Sequence, residues 1–363
     1  MTENANPTDL LKASIGKIKA DVDRELALFF DHKIAEAGRV DPQYRKLMLE
    51  TKKVILRGGK RLRPFMVWLG WRLGGGKDYD NFLKLALSWE IYHASALILD
   101  DIMDQDTTRH GGPNIIGVYD KAFKRTQTPE NSLKHAEHAA LMSGVGAMML
   151  SVENLRSLQV EPELLARIEN DFLKMHFQLV GGQFIEDLAV MQKRLKPSEI
   201  RKIYLRKSGH YSIVAPLQSG ARLAGTNDAI LEILRQYGEH AGVAFQIIDD
   251  VLGTFGSSRE IGKSNTTDIE ENKHTLLMHY GMEFADETQK VILQKYLGKP
   301  HITGTELKLV RKVLTDNGAK AKTTFMAQAE AEAAKKAFKK LALAGDLPIL
   351  FDTLTDYLVK RSV

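Results

Sequence analysis

Two aspartate pairs, each at the end of an apolar, helix-like segment, constrain this chain more than any other feature. Asp100 and Asp101 are followed by Asp104, and Asp249 and Asp250 come about 150 residues later. Carboxylates are costly to bury beside apolar residues unless a cation or hydrogen bonds compensate for them. A single pair of this kind usually only solvates the end of a helix. Two such pairs, each preceded by a core-like run, favour a site that holds a cation between them.

The apolar residues before the first pair predict a long buried helix. The segment runs from Phe82 to Met103, and its Leu and Ile residues recur at helical spacing. On a helix, Asp100 and Asp104 lie one turn apart on the same face. Two carboxylates that close repel each other unless a hard cation bridges them, and magnesium typically takes one or two carboxylates together with water and phosphate oxygens. The spacing therefore predicts a phosphate-bearing substrate.

Basic residues supply the complementary half of such a site. The segment Arg57–Pro64 places cations around two glycines just before a new apolar run, so backbone and side chains can both approach an anion. Arginine suits bidentate phosphate binding, and lysine acts as a point charge. Alone, such a run is usually a solvated turn. Further cations follow each acidic cluster: Arg109 and His110 after the first, Lys263 and Lys273 after the second. The alternation indicates two diphosphate sites, one bridged by metal and one held by side chains.

At this point the residues resemble a known family, the trans-type polyprenyl diphosphate synthases. These all-helical prenyltransferases extend an allylic diphosphate with isopentenyl diphosphate. The resemblance runs from Leu56 to Lys273 and is specific because six elements occur in order. The elements are Gly-Gly-Lys60-Arg-Leu-Arg63-Pro, His93, Asp-Asp-x-x-Asp with Arg109 and a Gly-Gly-Pro turn, Gly182-Gln183, Lys207-Ser208-Gly209, and Phe245-Gln246-Ile-Ile-Asp249-Asp250.

The resemblance implies an all-α fold, a single large helical bundle with a central cleft, and a homodimer. It also implies about three magnesium ions, which would join Asp100, Asp104 and Asp249 to the leaving diphosphate as Lewis acids. Asp101 and Asp250 belong to the same two metal-binding motifs. Family members ionise the allylic diphosphate to a carbocation, add the isopentenyl double bond and remove a proton. No side-chain base is obvious, and in the family the released diphosphate takes the proton.

The remaining site residues are also implied by the resemblance. Isopentenyl diphosphate is held without metal at the positions of Lys60, Arg63 and His93, and the leaving group is neutralised by cations. The expected substrate-binding residues are Lys60, Arg63, His93, Arg109, His110, Lys207, Ser208, Gln246, Lys263 and Lys273. Those expected to act in catalysis are Asp100, Asp104, Arg109, Lys207, Gln246, Asp249 and Lys263.

Three positions depart from the family pattern. His110 stands where the family commonly has a second arginine on isopentenyl diphosphate, and a histidine carries less charge near neutral pH. Gly253 removes a carboxylate one turn after Asp249, a variant that some family members share. Ser208 replaces a threonine and keeps the hydroxyl. The change at Gly253 concerns the number of ligands at the second site rather than the activity.

The helix below the first cluster predicts the length of the product. Enzymes of the family that make farnesyl chains have an aromatic residue five positions before the first aspartate, where this chain has Ser95, with Ala96 beside it. At ~1.5 Å rise per residue, Tyr92 lies about 12 Å and Trp89 about 16 Å below Asp100, so they become the candidate floor. We expect a twenty-carbon geranylgeranyl product, with twenty-five carbons as the alternative. Aromatic residues on a core helix can also serve packing alone.

Composition agrees with a large helical enzyme. A chain of 363 residues with 44% hydrophobic content can bury a sizeable core, and its length alone suggests two domains. Because the two aspartate clusters must face a common cleft, we expect one helical domain over residues 10–363 after a disordered Met1–Asp9. The chain has no cysteine, which excludes disulfides and cysteine-based zinc sites and fits a cytoplasmic protein. We find neither an uncharged apolar span nor a signal peptide.

Three alternative functions are nucleic-acid binding, terpene cyclisation and a non-catalytic regulatory role. The net charge of +5 permits nucleic-acid binding, but the basic residues are spread along the chain and only 7% of residues are aromatic, so we expect no nucleic-acid partner. A class I terpene cyclase would share the fold and Asp-Asp-x-x-Asp, but it would not need Lys60, Arg63 and His93 for a second diphosphate. A non-catalytic regulatory subunit would lack one acidic cluster outright. The presence of both clusters favours a working synthase.

Overall fold

The computed structural model describes residues 6–191, 195–256, 265–341 and 343–360. The chain is 80% helical, which confirms the predicted all-α class. In the amino-terminal part the elements are α1 (Pro7–Val40), α2 (Pro42–Leu56), α3 (Leu62–Leu73), α4 (Tyr79–Met103), the strands β1 (Thr108–Arg109) and β2 (Gly112–Pro113), α5 (Ile115–Phe123), α6 (Pro129–Leu155) and α7 (Pro162–Ala189).

In the carboxy-terminal part, the elements that the structure describes are all helices. Its elements are α8 (Pro197–Tyr204), a π-helix (Leu205–Val214), α9 (Ala215–Leu223), α10 (Asp228–Phe255), α11 (Thr267–Glu270), α12 (Leu276–Phe284), α13 (Glu287–Tyr296), α14 (Gly304–Asp316), α15 (Ala319–Phe338) and α16 (Leu347–Val359). The segment from Gly253 to His274 reads from the sequence as a loop. Instead, α10 continues to Phe255, residues 257–264 lie outside the described part, and α11 begins at Thr267.

Two compact units divide the chain. The first-cluster unit, which carries Asp100 and Asp104, consists of Lys12–Glu169 and Gly220–Gly225. The second-cluster unit, which carries Asp249, consists of Met1–Leu11, Asn170–Ser219 and Thr226–Val363. The expectation of one domain over residues 10–363 stays a prediction.

The start of α1 differs from the expected disordered terminus. Residues 1–5 lie outside the described part, but the helix already begins at Pro7. Asn6 precedes it, and its side-chain oxygen accepts a hydrogen bond from the backbone N–H of Thr8 at 3.0 Å. A capping asparagine followed by proline at the first helical position is a strong helix start, which explains why residues 7–9 are helical.

Helix α4 forms the centre of the first-cluster unit. It begins at Tyr79, one turn before the predicted Phe82, because Asp78 caps it by accepting from the Asn81 backbone N–H at 3.0 Å. It packs against α6, where a Cβ built at Gly144 would lie 2.8 Å from the side chain of Leu99. A glycine at this position therefore lets the two helices approach closely.

The same helix meets the length and composition requirements of a membrane span. Among the helices that the structure describes, α4 alone does so, and 72% of its most apolar window is buried inside the protein. Burial of this extent is typical of the core helix of a folded domain.

Helix α10 is the centre of the second-cluster unit. It packs against the π-helix through two glycines, since a Cβ at Gly242 would collide with the Cα of Gly209. On α15, alanines at positions 327, 331 and 334 are 0 to 2% exposed and form a narrow buried stripe. Small residues therefore let the π-helix and α15 pack closely against α10, the helix that carries Asp249 and Asp250.

Candidate active site

The two aspartates of the first pair face different environments. Asp101 is 2% exposed, and the Nε of Arg109 donates to its Oδ1 at 2.6 Å. Asp100 and Asp104 are half-buried, and Asp100 Oδ2 lies 3.5 Å from Arg109 Nη2. Burial raises the pKa of Asp101 to about 6, while Arg109 opposes that shift. Asp100 and Asp104 are therefore the carboxylates of this cluster that remain accessible to a ligand.

Arg109 is held by a short hairpin between β1 and β2. The turn is formed by His110 and Gly111, with φ angles of 52° and 73°, and glycine adopts such left-handed backbone readily. Burial alone would lower the pKa of Arg109, but attraction to Asp101 and Asp100 outweighs burial and raises it. The guanidinium is thus a permanent charge that contacts both aspartates of the first pair.

The basic loop between α2 and α3 packs against this hairpin. A Cβ at Gly58 would lie 2.9 Å from Cγ of His110, so only a glycine leaves room for the imidazole. Arg57 Nη1 donates a hydrogen bond to the carbonyl oxygen of Pro113 at 2.5 Å. The Arg57 side chain passes over Gly112, where a Cβ would lie 2.8 Å from the same nitrogen. Two segments about fifty residues apart in the sequence are therefore joined into one basic surface.

His93, on α4, belongs to the same group of basic residues. Burial lowers its pKa well below the usual value, and the nearby charges of Arg63 and Arg109 lower it further. Burial also lowers the pKa of His110, again with help from Arg109. Both imidazoles are therefore neutral near pH 7 and can act as hydrogen-bond donors, while Lys60, Arg63 and Arg109 provide charge. The structure brings Arg63, His93, Arg109 and His110 close to one another, while Lys60 is exposed and Arg63 half-buried.

The second aspartate pair repeats the division seen in the first. Asp250 is 6% exposed and accepts hydrogen bonds from Tyr204 Oη and, at 2.8 Å, from Gln246 Nε2. Asp249 is half-buried. Burial raises the pKa of Asp250 well above its ordinary value, and Asp268 adds to the effect, against the hydrogen bonds of Tyr204 and Gln246. In this pair too, the first aspartate is the accessible one.

The π-helix carries the Lys207-Ser208-Gly209 motif beside α10. Ser208 Oγ donates to Gln246 Oε1, and Lys207 Nζ forms an ion pair with Glu186 of α7. A Cβ at Gly182 would lie 2.9 Å from Cβ of Arg206, so the glycine of the Gly-Gln motif lets α7 approach the π-helix. Ser208, Gln246 and Asp250 form one continuous hydrogen-bonded chain.

Two of the predicted cations follow the second cluster. Lys273 Nζ lies 2.8 Å from Glu271 and 3.7 Å from Asp268. Lys263 lies outside the described residues, so its predicted role stays a prediction.

Sequence reasoning missed two residues of the second-cluster unit. The hydroxyl of Tyr204 also accepts a hydrogen bond from the backbone N–H of Leu276 at 2.9 Å, which ties α8 to the start of α12. Asp268, in the first turn of α11, lies beside Gly253. The only signals in the sequence were the position of Tyr204 three residues before Lys207 and that of Asp268 five residues before Lys273.

The predicted chain-length residues on α4 differ in burial. Ser95, Tyr92 and Trp89 are 0 to 1% exposed, and Ser95 Oγ donates to the carbonyl oxygen of Tyr92 at 2.9 Å. Ala96 is half-buried, as are His93 and Asp100. Because the spacing of these three residues places them on one face of the helix, Ala96 lies on the more accessible face below Asp100. The assignment of product length to these residues stays a prediction.

Oxygen ligands predominate at both clusters. Within the part of the chain that the structure describes, no three histidine, aspartate or glutamate side chains converge as a metal-binding group. Magnesium commonly takes only one or two carboxylates and completes its octahedron with water and substrate phosphate oxygens. Asp100 and Asp104, one helical turn apart and half-buried, fit this kind of site.

Comparisons with known proteins identify the family. The polyprenyl synthetase family model matches residues 45–314. The chain is 29% identical to the geranylgeranyl diphosphate synthase of Sulfolobus acidocaldarius over 266 residues, 72% of this chain and 74% of that protein. It is 28% identical to the geranylfarnesyl diphosphate synthase of Aeropyrum pernix over 339 residues, 92% of this chain and 99% of that protein.

Solved structures share the fold. The geranylgeranyl pyrophosphate synthase of Corynebacterium glutamicum superposes with a TM-score of 0.90 at 22% identity, covering 95% of this chain and 99% of that one. The geranylgeranyl pyrophosphate synthetase of Pyrococcus horikoshii gives a TM-score of 0.77 at 25% identity over 97% and 99% of the two chains. Since the family match covers most of the chain and includes both aspartate clusters, the protein belongs to the polyprenyl synthetase family and is a prenyl-transferring enzyme.

Proposed function

We propose that this enzyme condenses isopentenyl diphosphate with an allylic diphosphate to give an all-trans polyprenyl diphosphate, with geranylgeranyl diphosphate as its main product. One observation carries the proposal. Arg109 contacts the first aspartate pair and also lies among the cations of the basic loop and His93. A metal-binding cluster and a cationic anion site therefore adjoin within one compact unit, as an enzyme that handles two diphosphates requires.

Isopentenyl diphosphate binds at the cationic part of this surface. Lys60 and Arg63 neutralise its charge, and arginine can bind two phosphate oxygens at once. His93 and His110, whose pKa values are lowered, donate hydrogen bonds as neutral imidazoles. The histidine at position 110 thus contributes a directional hydrogen bond to the diphosphate, whereas the arginine common in the family would add a positive charge.

The allylic diphosphate binds through the accessible aspartates. Asp100, Asp104 and Asp249 would hold magnesium, about three ions by family resemblance, and the bound metal would supply Lewis-acid stabilisation of the leaving group. The Corynebacterium glutamicum structure contains isoprenyl diphosphate and magnesium, and a Caulobacter crescentus polyprenyl synthase contains isoprenyl diphosphate and calcium. The buried partners Asp101 and Asp250 orient neighbouring groups, since each already accepts hydrogen bonds from its own unit.

Basic residues around the clusters stabilise the charge that develops on the leaving diphosphate. Arg109 and Lys207 neutralise this charge, and Lys263 does so by family resemblance. Lys273 binds the same diphosphate. Ser208 and Gln246 hold one hydrogen-bonded chain to Asp250 and so keep the site oriented. Preorganised donors of this kind favour the transition state because they do not have to reorient as the carbon–oxygen bond breaks. The released diphosphate takes the proton that restores the alkene.

The absence of an aromatic plug supports a product of twenty carbons, with twenty-five as the alternative. Ser95 stands where farnesyl-making members of the family have an aromatic residue, and the small side chain of Ala96 is half-buried. The relatives include makers of geranylgeranyl and geranylfarnesyl chains, which agrees with both lengths.

We infer that the enzyme is a cytoplasmic homodimer. On α6, Leu141, Met142, Val145 and Met149 are 49 to 61% exposed and share one face. A contiguous apolar surface of this kind on a helix is typical of a subunit interface. Met142→Glu with Met149→Glu should shift the protein to monomer in light scattering, and an unchanged mass would exclude this face.

The test of the reaction is incubation with magnesium, labelled isopentenyl diphosphate and each allylic starter from five to twenty carbons, followed by chain-length analysis. Label in a longer all-trans diphosphate is expected, and chelation of magnesium by EDTA should abolish it. Cyclised hydrocarbon without extension would identify a terpene cyclase. No product at all would favour a non-catalytic subunit.

A further inference from the structure

We propose that Arg61, which belongs by sequence to the basic loop, does not bind the anion but is a positioning residue that fixes Lys60, Arg63 and His93. The inference rests on the proposed function of the loop as the isopentenyl diphosphate site. It separates Arg61 from the other cations of the loop and assigns it to a buried ion network with Asp23 and Glu90.

The guanidinium of Arg61 is fully engaged inside the first-cluster unit. Its side chain is 3% exposed. Nε donates to Asp23 Oδ1 at 2.7 Å, Nη1 to Glu90 Oε1 at 2.6 Å, and Nη2 to the carbonyl oxygen of Ile55 at 2.9 Å. The three acceptors belong to α1, α4 and the end of α2. One side chain therefore ties the basic loop to three helices.

The charge of Arg61 is already neutralised by the two carboxylates. Burial by itself would lower its pKa, but Glu90 and Asp23 outweigh burial and raise it. A guanidinium paired with two acidic groups and shielded from solvent contributes little attraction to a diphosphate. Lys60 on the loop is exposed, and Arg57 on the loop and Arg63 in the first turn of α3 are half-buried.

The backbone at Arg61 also points to a positioning role. Its φ and ψ of 51° and 43° are left-handed, a conformation that is unfavourable for a residue with a side chain. Such a conformation persists only where the surroundings impose it. Arg61 immediately precedes α3, and its carbonyl oxygen accepts the helical hydrogen bond from Phe65 N at 3.0 Å. The inward-turned side chain thus determines where α3, and with it Arg63, begins.

Glu90 extends this control to His93. Glu90 lies three residues before His93 on α4, so the two share neighbouring positions on that helix. Within the described structure, Glu90 Oε2 has no hydrogen-bond donor, so Arg61 supplies the only hydrogen bond that the buried Glu90 carboxylate receives. The network consequently links Lys60 on the loop and Arg63 at the start of α3 to the helical turn that carries His93.

The experiment compares Arg61→Lys and Glu90→Gln with the wild-type enzyme in steady-state kinetics and thermal unfolding. We expect the KM for isopentenyl diphosphate to rise roughly tenfold to a hundredfold, because displacing binding groups by about 1 Å has effects of that order. The KM for the allylic diphosphate should stay within about twofold, and no such split is expected from general loss of stability.

Lys33→Met is the matched control. Lys33 is a largely buried cation in the same unit, paired with Glu36 at 2.9 Å and with Glu153 at 2.5 Å, and it does not contact the basic loop. Its loss should lower stability without changing either KM. If Arg61→Lys does not fold, Glu90→Gln, which keeps the shape of the side chain, decides the outcome. Equal rises in both KM values, or no change in either, would overturn the inference.

Direct binding separates this inference from the proposed reaction. Titration of the same proteins with isopentenyl diphosphate without magnesium should give weaker binding for Arg61→Lys than for wild type. If wild-type protein binds isopentenyl diphosphate but does not extend it, the proposed reaction fails and the role of Arg61 is still tested. If wild-type protein does not bind it, both fail.

Discussion

The carboxylate of Asp268 occupies the space that a side chain at Gly253 would enter: a Cβ at position 253 would lie 2.5 Å from Asp268 Oδ2. Gly253 lies in α10 where a third aspartate of the second cluster would stand, and Asp268 lies in the first turn of α11. A carboxylate from another helix therefore stands close to the position where the sequence lacks one. The same residue lies near enough to Asp250 to help burial raise its pKa.

Restoring the missing aspartate should consequently harm this protein. Gly253→Asp would force two carboxylates together and should lower the unfolding temperature and the turnover. The double variant Gly253→Asp with Asp268→Ala should recover part of both losses, because it removes the steric and charge conflict. Differential scanning fluorimetry and the extension assay measure the two effects. A stable and active single variant would show that Asp268 moves away at no cost.

Removing an accessible aspartate of the first cluster should abolish catalysis without unfolding α4. Asp100→Ala and Asp104→Ala are each expected to lower kcat by several powers of ten, because they remove stabilisation of charge in the transition state. Asp80→Ala, at the exposed start of the same helix, is the control and should retain activity. Unaltered turnover of the cluster variants would exclude the metal assignment, and circular dichroism checks the fold.

The Tyr204 hydroxyl should matter for both stability and metal use. Tyr204→Phe removes the donor to Asp250 and the acceptor for Leu276, and a buried group left without its partner costs about 1–3 kcal/mol. We expect urea unfolding at lower concentration and a higher magnesium concentration for half-maximal rate. Tyr119→Phe on α5 is a half-buried tyrosine in the other unit and should leave the magnesium dependence alone. The same magnesium dependence in Tyr204→Phe and wild type would limit Tyr204 to a structural role.

A large side chain at position 95 should shorten the product. Ser95→Phe places an aromatic ring five residues before Asp100, and we expect fifteen-carbon product in the chain-length analysis. Because Ser95 is 0% exposed, the ring must displace its neighbours, and overpacking of this kind costs about 1–3 kcal/mol. Ala96→Phe, on the more accessible face, should shorten the product with a smaller loss of stability. Unchanged product in both variants would show that this helix does not set chain length.

Glu330 should make stability depend on pH. It accepts hydrogen bonds from Arg201 at 2.7 and 3.1 Å and pairs with His240 at 2.6 Å. Burial alone would raise its pKa, but the bonds from His240 and Arg201 lower it. A lowered pKa stabilises the fold above the unfolded value, near 4.3, and that contribution disappears as the pH falls through the folded value.

We therefore expect Glu330→Gln to reduce the free energy of unfolding by about 1–3 kcal/mol at pH 7. The difference from wild type should shrink below about pH 4. Urea titrations from pH 3 to 7 measure it, with Glu332→Gln as the exposed control on the same helix. A difference that is constant over this range would contradict the electrostatic explanation.

The helical fold and both aspartate clusters could be predicted because their signals are local. The spacing of apolar residues predicts the helix that precedes Asp100, and the structure has α4 there. Comparisons with known proteins confirm the predicted family, fold and enzyme class. Burial of Asp101 and Asp250 could not be read in the same way, because their partners Arg109 and Tyr204 come from other elements. Adjacent aspartates look alike in the sequence, but on a helix their side chains are about 100° apart, so one can be buried while the other stays half-buried.

The buried pairing of Arg61 could not be predicted from the sequence either. The sequence shows a charge between Lys60 and Arg63, but only tertiary structure shows that Asp23 and Glu90 neutralise it. The sequence predicts disorder for Met1–Asp9 because chain termini are commonly poorly ordered, whereas Asn6, which accepts a hydrogen bond from the Thr8 backbone N–H, caps a long helix that begins at Pro7.

Because Leu205–Val214 is a π-helix, the position of Lys207 depends on the number of residues in this segment as well as on their types. A π-helix has i to i+5 hydrogen bonds, so it accommodates an extra residue relative to an α-helix of the same rise. Deleting one residue would let the segment return to α-helical geometry, and residues within the segment would then shift by one position, or about 100° around the axis, while those beyond it keep their place. In this segment, insertions and deletions can therefore reposition a cation and a hydroxyl relative to α10 even when every motif residue is retained.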